Sequence, residues 1–332
     1  MLHSTTDDQV AAGAVGIPLI RALRPTDLPA FLAFRARAPA NAATLAHGRP
    51  VRLSFREMLG RSLALRPGVE TWVQIENGQI HGLIAARARF GTDVWDIDQL
   101  VVAPSLDDDR VCLRLLDHLC SAAVEEGVLK VFLRLAEESP WAHASRQAGF
   151  VHYTSEQLHV LPSMEPIERP AVPGLRPRRP ADHQALFQLY SAAVPGHVRQ
   201  IEAMTLQEWR WNDNWGFASV ASVRPALSRR RRDLVVQGEA ELTAWLQVQA
   251  RSRVIRLLYD ADGAPDPGVL LRRALAELAP PGPVACPVRD YQRELVAHLE
   301  DLGFLPGESH ALFARLLAAR IPERRLVPAR VV

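Results

Sequence analysis

The chain repeats part of its own sequence, and a repeat of this length fixes the architecture before any single residue is weighed. Ile20-Arg21-Ala22-Leu23-Arg24-Pro25-Thr26-Asp27 is echoed 155 positions later by Leu175-Arg176-Pro177-Arg178-Arg179-Pro180-Ala181-Asp182, and each octet precedes an amphipathic stretch. Near the other end, Gln147-Ala148-Gly149-Phe150 is echoed 154 positions later by Asp301-Leu302-Gly303-Phe304. Between these anchors, Ser54-Phe55-Arg56-Glu57 and Thr205-Leu206-Gln207-Glu208 both have the capping-box form, in which a hydroxyl and a Glu three residues apart satisfy the first free amides of a helix. A chain of 332 residues, 48% of them hydrophobic, can bury two ordinary cores.

Each copy runs strand, helix, helix, a strand cluster, then helix, strand, helix and strand. In the first, Glu70–Ile75 and Gln79–Arg89 are β-rich and separated by Asn77-Gly78, a two-residue hairpin signal. Trp95–Val102 is the next strand. Val111, Leu115, Leu116 and Leu119 then recur at helical spacing over Arg110–Glu126, stopped by Gly127. Strand Val128–Leu135, helix Pro140–Gln147 and strand Val151–Leu161 follow. The second copy reads as strands Asp233–Gln237, Glu241–Gln249 and Ser252–Tyr259, helix Pro267–Leu278, strand Val284–Pro287, helix Asp290–Leu302 and a strand near His310–Leu317.

Four prolines and a glycine between Pro162 and Gly174 have the composition of an extended linker. The expected organisation is a flexible start over 1–18, one α/β domain over 19–162, a linker over 163–173, a second domain over 174–320 and a tail over 321–332. The net charge is only +2, so no global field calls for nucleic acid or a membrane. No apolar run approaches the ~20 residues that span a bilayer, and the first 16 residues lack a basic start before an apolar core, so a cytoplasmic protein is expected. Cys112, Cys120 and Cys286 have neither metal-ligand nor disulfide spacing and are expected as buried thiols.

The opening Ile-Arg-x-x-Arg-Pro-x-Asp before a helix, the late Gly-Phe, and Asp98-Gln99-Leu100-Val101-Val102-Ala103-Pro104 ahead of an amphipathic helix together resemble the GNAT superfamily of acyl-CoA-dependent N-acyltransferases. The resemblance covers nearly the whole chain, twice. It implies an α/β fold of two tandem GNAT-like domains, each a mixed, mostly antiparallel sheet flanked by helices. It also implies acetyl-CoA (coenzyme A) as cofactor, bound where strands four and five splay apart, with pantetheine along the backbone of Leu100, Val101 and Val102. The pyrophosphate would rest on the helix start at Arg110, Val111 and Cys112. There the sequence departs from the family pattern, because Asp107-Asp108-Asp109 stand where small or basic residues are usual. Carboxylates suit a helix N-terminus and repel phosphate. In the second copy the stretch Asp260–Gly268 offers glycines, three acids and no basic residue.

The resemblance also assigns candidate chemistry. Asp98, with Asp96 on the same strand face, matches the carboxylate that takes a proton from the amine; Arg253 or Arg256 falls there in the second copy. The usual tyrosine acid is replaced by Ser145 in one copy and Leu299 in the other, leaving Ser145, His143 and His152 as conceivable donors. Trp209, Trp211 and Trp215 are candidates for an acceptor pocket or for packing between the copies. Ser228 followed by Arg229–Arg232 is a basic run without interleaved aromatics, which fits a solvated loop better than a nucleic-acid site. Two functions follow: an N-acyltransferase acting on a small-molecule or protein amine, or a non-catalytic relative that binds a ligand or a protein. A pseudo-twofold monomer or a homodimer is expected.

Overall fold

A computed structural model describes residues 18–38, 40–43, 69–88, 93–105, 107–202, 206, 209 and 231–317. In chain order the first half contains β1 (Leu19–Ala22), α1 (Leu28–Arg37), β2 (Val69–Glu76), β3 (Gln79–Ala88), β4 (Val94–Val102), α2 (Asp108–Glu125), β5 (Lys130–Ala136), α3 (Trp141–Gln147) and β6 (Val151–Leu161). The second half contains β7 (Leu175–Pro177), α4 (His183–Ala193), α5 (Gly196–Glu202), β8 (Arg231–Gln237), β9 (Leu242–Gln249), β10 (Val254–Tyr259), α6 (Pro267–Leu275), β11 (Val284–Arg289), α7 (Glu294–Asp301) and β12 (Leu305–Leu316).

The repeated octets have a shared physical purpose. Asp27 receives two hydrogen bonds from the Arg21 guanidinium, both 2.7 Å, and one from the Arg24 amide at 2.8 Å. Asp182 receives the same three, two from Arg176 at 2.7 and 2.8 Å and one from the Arg179 amide at 2.6 Å. Each carboxylate thereby fixes a 3₁₀ turn, Pro25–Asp27 or Pro180–Asp182, between the first strand of its half and the helix that follows. The Gly-Phe pairs also share one role. Gly149 and Gly303 lie at φ +77° and +82°, the left-handed region that ends α3 and α7, and the following Phe150 and Phe304 are buried. Asn77 (φ 51°) and Gly78 (φ 74°) make the β2–β3 hairpin as their sequence predicts.

The twelve strands form one sheet in the order β1-β2-β3-β4-β5-β12-β6-β11-β10-β9-β8-β7. Exchanging each strand for its repeat counterpart returns the same order, so the halves share a topology. The final strands are exchanged: β5 pairs with β12 and β11 with β6, while β6 and β12 pair with each other. Glu156 and His310, equivalent positions of the two copies, stand opposite one another in that central pair, where the pseudo-twofold axis passes. One face of the sheet carries α2 and α3 over one core and α6 and α7 over a second; the other carries α1 and, beside it, α4 and α5.

Element ends shift by up to three residues in several places, such as the helix expected over Pro267–Leu278, which ends at Leu275, and two boundaries shift further. Helix α7 begins at Glu294 and not at Asp290, because the Asp290 carboxylate accepts hydrogen bonds from Thr154 Oγ1 (2.7 Å) and the Ser155 amide (3.0 Å), which holds this segment as a turn. The last strand begins at Leu305, well before His310, since its early residues pair with β6 of the other half. The capping-box segment at Ser54, and Thr205, Gln207 and Glu208 of its counterpart, lie outside the described residues. Cys112, Cys120 and Cys286 are buried free thiols, which burial pushes up to about 12, 11 and 12.

Candidate functional site

Strands β4 and β5 run parallel and stay in register only over Val94–Asp96 against Lys130–Phe132. Strands β10 and β11 hold a single register pair, Val254 with Ala285. Beyond these points each pair parts, and the backbone groups along the opened edges need other partners.

In the first half the chain itself supplies them. The Asn41 side chain donates from Nδ2 to the Asp98 carbonyl and accepts from the Leu100 amide at Oδ1, both at 2.8 Å. A carboxamide presents a donor and an acceptor side by side, as a peptide unit does, so Asn41 acts as a short substitute strand. The Ala42 amide donates to the Leu100 carbonyl at 3.0 Å, and Ala43, fully buried, bridges antiparallel to Leu135 of β5. Asn41–Ala43 therefore lies in the gap, bonded to both walls.

In the second half the gap is bridged at its root. Gln292 donates from Nε2 to the Leu257 carbonyl of β10 at 2.9 Å and accepts from the Arg289 amide of β11 at 3.3 Å.

Asp98 is fully buried, and its carboxylate is ion-paired to Arg87 of β3 at 2.8 Å. It stands at a bulge, since Ala86 pairs with Ile97 and Ala85 with Gln99, leaving Asp98 as the extra residue. The bulge resets the alternation, so Leu100 and Val102 join Trp95 and Ile97 in the core beneath α2 while Val101 faces α1. Asp96 stands opposite Arg87, on the face that the Asp98 carboxylate also shares. Arg256 occupies the comparable place in β10.

The other predicted residues are scattered. Ser145 is fully buried in α3 and donates its hydroxyl proton to the Trp141 carbonyl at 2.8 Å; Leu299 is buried at the equivalent place in α7. His143 contacts Gln147, and His152 contacts Ser155 and lies edge-on to Phe313. At the start of α2, Asp107 and Arg110 are exposed and form an ion pair at 3.8 Å, whereas Val111 and Cys112 are buried. At the start of α6 the Asp266 carboxylate accepts from the Val269 amide at 3.0 Å. Arg231 pairs with Asp233 at 2.9 Å. Arg232 pairs with Glu277, which also binds Arg273 and, at 3.1 Å, Arg169. Ser228–Arg230, Trp211 and Trp215 lie outside the described residues.

Trp209 is buried against Tyr190, with ring centroids 4.5 Å apart, and edge-on to Trp245 at 5.8 Å. This core also takes in Phe132, Tyr153 and Leu312, so Trp209 stands where the two halves meet. On the same sheet face lies a buried ionic network that sequence reasoning missed. Glu156 pairs with Arg134 at 2.7 Å and Arg289 at 3.1 Å; Arg289 pairs with Glu202 at 3.2 Å, and the Tyr153 hydroxyl donates to Glu202 at 3.0 Å. Burial alone would raise the Glu156 carboxyl, but Arg134, then Arg289 and Arg256, hold it below the usual carboxylate range. Burial pushes Arg256 down to about 10, against the pull of Glu156. His310, beside Arg134 at 3.1 Å, is pushed down to about 4 by burial and by that guanidinium, so it is neutral at pH 7.

Several buried polar atoms on this face, the Tyr190 and Tyr291 hydroxyls, Trp209 Nε1 and both amide atoms of Gln247, have no hydrogen-bond partner among the described residues. Burial raises both phenols further above their ordinary value, with Glu202 adding to it. The apolar core on the facing side of the first half is Leu23, Phe31, Phe34, Val73, Ile80, Leu83, Val101 and Ala103; the first half also buries Gln99, whose two amide atoms have no partner among the described residues.

This geometry has a known counterpart. The chain is similar over 92% of its length, and over 97% of that protein's, to a GCN5-related N-acetyltransferase from Sphaerobacter thermophilus, with a TM-score of 0.54 and 16% identity. It is also similar to a tandem GNAT protein from the clavulanic acid biosynthesis pathway (TM-score 0.48, 14% identity, 92% of this chain and 100% of that one). A putative acetyltransferase from Pyrococcus horikoshii gives a TM-score of 0.47 at 13% identity, covering 96% and 94%. No family model and no curated protein matches the chain. The protein thus has the GNAT fold, twice over, in one continuous sheet.

Acyl-CoA, which the sequence resemblance implies, does not fit the residues present. The β4 amide and carbonyl of Leu100 are already bonded to Asn41 and Ala42, and both helix starts present carboxylates. Among the described residues no helix is long and apolar enough to cross a membrane, and no group of His, Cys, Asp and Glu could hold a metal ion.

Proposed function

We propose that this protein is a non-catalytic member of the GNAT fold, a ligand-binding protein that does not transfer acyl groups. The observation that carries this reading is Asp98, the carboxylate that matches the family's base. It is buried, with its charge committed to Arg87 at 2.8 Å. A buried carboxylate already paired to a guanidinium is poorly placed to take a proton from an ammonium nucleophile. The second half offers no substitute, since a cation, Arg256, stands in its place. Ser145, the candidate acid, spends its proton on Trp141. Recognition falls to the α4–α5 face of the second half, where Tyr190, Trp209, Gln247 and Tyr291 bring together buried hydrogen-bonding groups without partners among the described residues. The ligand is a small polar molecule in this reading.

The test is calorimetric titration with acetyl-CoA, followed by an assay for thiol release with a panel of primary amines. No saturable heat and no thiol above the uncatalysed rate are expected, with Asp98→Asn indistinguishable from the parent. Micromolar binding with amine-dependent thiol release that Asp98→Asn abolishes would show an N-acyltransferase working through the first half.

A further inference from the structure

The gap between β4 and β5 is a site for an extended amide chain: one wall presents the Asp98 carbonyl and both polar groups of Leu100, and the other the edge of β5 at Leu135. We propose that Asn41–Ala43 is a built-in wedge, a stretch of the protein's own chain that takes the place of such a ligand and keeps this gap closed. The inference rests on the non-catalytic reading and explains how the first half is stable in that state.

Three features make the segment a wedge and not a passing loop. It bonds both walls at once, so it completes the sheet where the two strands have parted. It does so with four hydrogen bonds or bridges within three residues, and the central ones, to Asp98 and Leu100, are in a buried setting where an unmade bond is costly. It is also built from small residues, Ala40-Asn41-Ala42-Ala43, which lets a backbone enter a gap only one strand wide. Asn41 is further braced from within, since its Oδ1 also accepts from the Ala43 amide at 3.2 Å.

Pantetheine is the probe, because it is an extended diamide without phosphate and so is indifferent to the acids at the start of α2. Binding is measured for the full chain and for Asn41→Ala, with Asn41→Asp as the near-isosteric second variant that keeps the acceptor and turns the donor toward Asp98 into a repelling oxygen. Amide exchange at Leu100 is followed in the parent protein, which needs no variant to fold. A Leu100 amide slowed at least 100-fold relative to a free amide in the parent, and pantetheine binding at least tenfold tighter to the variants, are expected. A freely exchanging Leu100 amide, or parent protein that binds pantetheine as tightly as Asn41→Ala, overturns the wedge. Neither result bears on Asp98, so acyl transfer by the parent would overturn the non-catalytic reading by a separate measurement.

Discussion

The two halves share a strand order and part their parallel strands at the same place, yet they close the opening in different ways. In the first, Asn41–Ala43 enters from the segment after α1 and bonds both strands along the gap. In the second, Gln292 reaches in from the turn after β11 and ties the Leu257 carbonyl to the Arg289 amide. A side-chain carboxamide does the work each time, because only Asn and Gln offer a neutral donor and acceptor in the spacing of a peptide. The parting of the strands is therefore a property of the fold, and its closure a property of the individual repeat. The opposite faces differ as sharply. Beneath α1 the apolar core is aliphatic with two phenylalanines, while beneath α4 it is built from tyrosines and tryptophans beside an ionic network.

The largest expected effect lies where the two repeats meet as equivalents. Glu156→Gln would leave Arg134 and Arg289 without the carboxylate they share and should cost about 3–5 kcal/mol in denaturant unfolding, whereas His310→Gln at pH 7 should cost far less, because that ring is already neutral. The pH dependence should then separate them. The folded state holds His310 at about 4 and the unfolded chain near 6.5, so the unfolded chain takes up the proton first as pH falls. Stability tied to this group is present above about pH 6.5 and is lost down to about pH 4, a term on the order of 3 kcal/mol. Comparing the parent with His310→Gln isolates it from carboxylates such as Glu156 and Asp27, which also lose stability in acid. Equal slopes in the two proteins would mean that His310 carries a proton in the fold.

A smaller effect tests whether the repeated octets really are the same device. Asp27→Ala and Asp182→Ala each remove two guanidinium bonds and one backbone amide bond of nearly equal length. Each should cost about 2 kcal/mol, with the two values within about 0.5 kcal/mol of one another. A clear inequality would show that the halves are not equally coupled to the sheet, and would weaken the comparison on which the wedge and the Gln292 bridge stand side by side.

These octets were legible in the sequence because their physics is local: an Arg, an Asp six residues on, and a proline between them describe a turn completely. The same holds for Asn77-Gly78, whose positive φ angles only a few residue types adopt, and for Gly149 and Gly303. The exchange of β6 and β12 was not legible. The pattern of Val151–Leu161 is the same whichever sheet the strand joins, and its partners lie more than 120 residues away. Asn41 gave only a faint signal, a lone amide in an alanine-rich stretch, since its meaning depends on two strands that part elsewhere. Asp98 was found by its position in a motif, but Arg87, which decides its chemistry, lies on another strand and belongs to no motif. Glu156 and Arg289 read as ordinary charged residues in strands until the fold places them against each other.

The smallest effect sharpens the contrast between the two faces. Tyr190 is buried beside Trp209 with no partner for its hydroxyl among the described residues, whereas Tyr153, in the same core, donates to Glu202 at 3.0 Å. A buried hydroxyl without a partner costs free energy that a hydrogen-bonded one recovers, so the same substitution should change stability in opposite directions at the two sites. Tyr153→Phe should lower the unfolding midpoint, by about 1 kcal/mol. Tyr190→Phe should raise it by up to about 1 kcal/mol, or roughly 2 °C for a chain of this size, in protein freed of small molecules by dialysis from denaturant. The gain should shrink or reverse in protein carrying a bound ligand, because the hydroxyl would then have a partner to lose. Equal losses at both tyrosines in the stripped protein would mean that the Tyr190 hydroxyl is satisfied within the fold. The α4 face would then be a satisfied interior, and ligand recognition would have to be placed elsewhere in the second half.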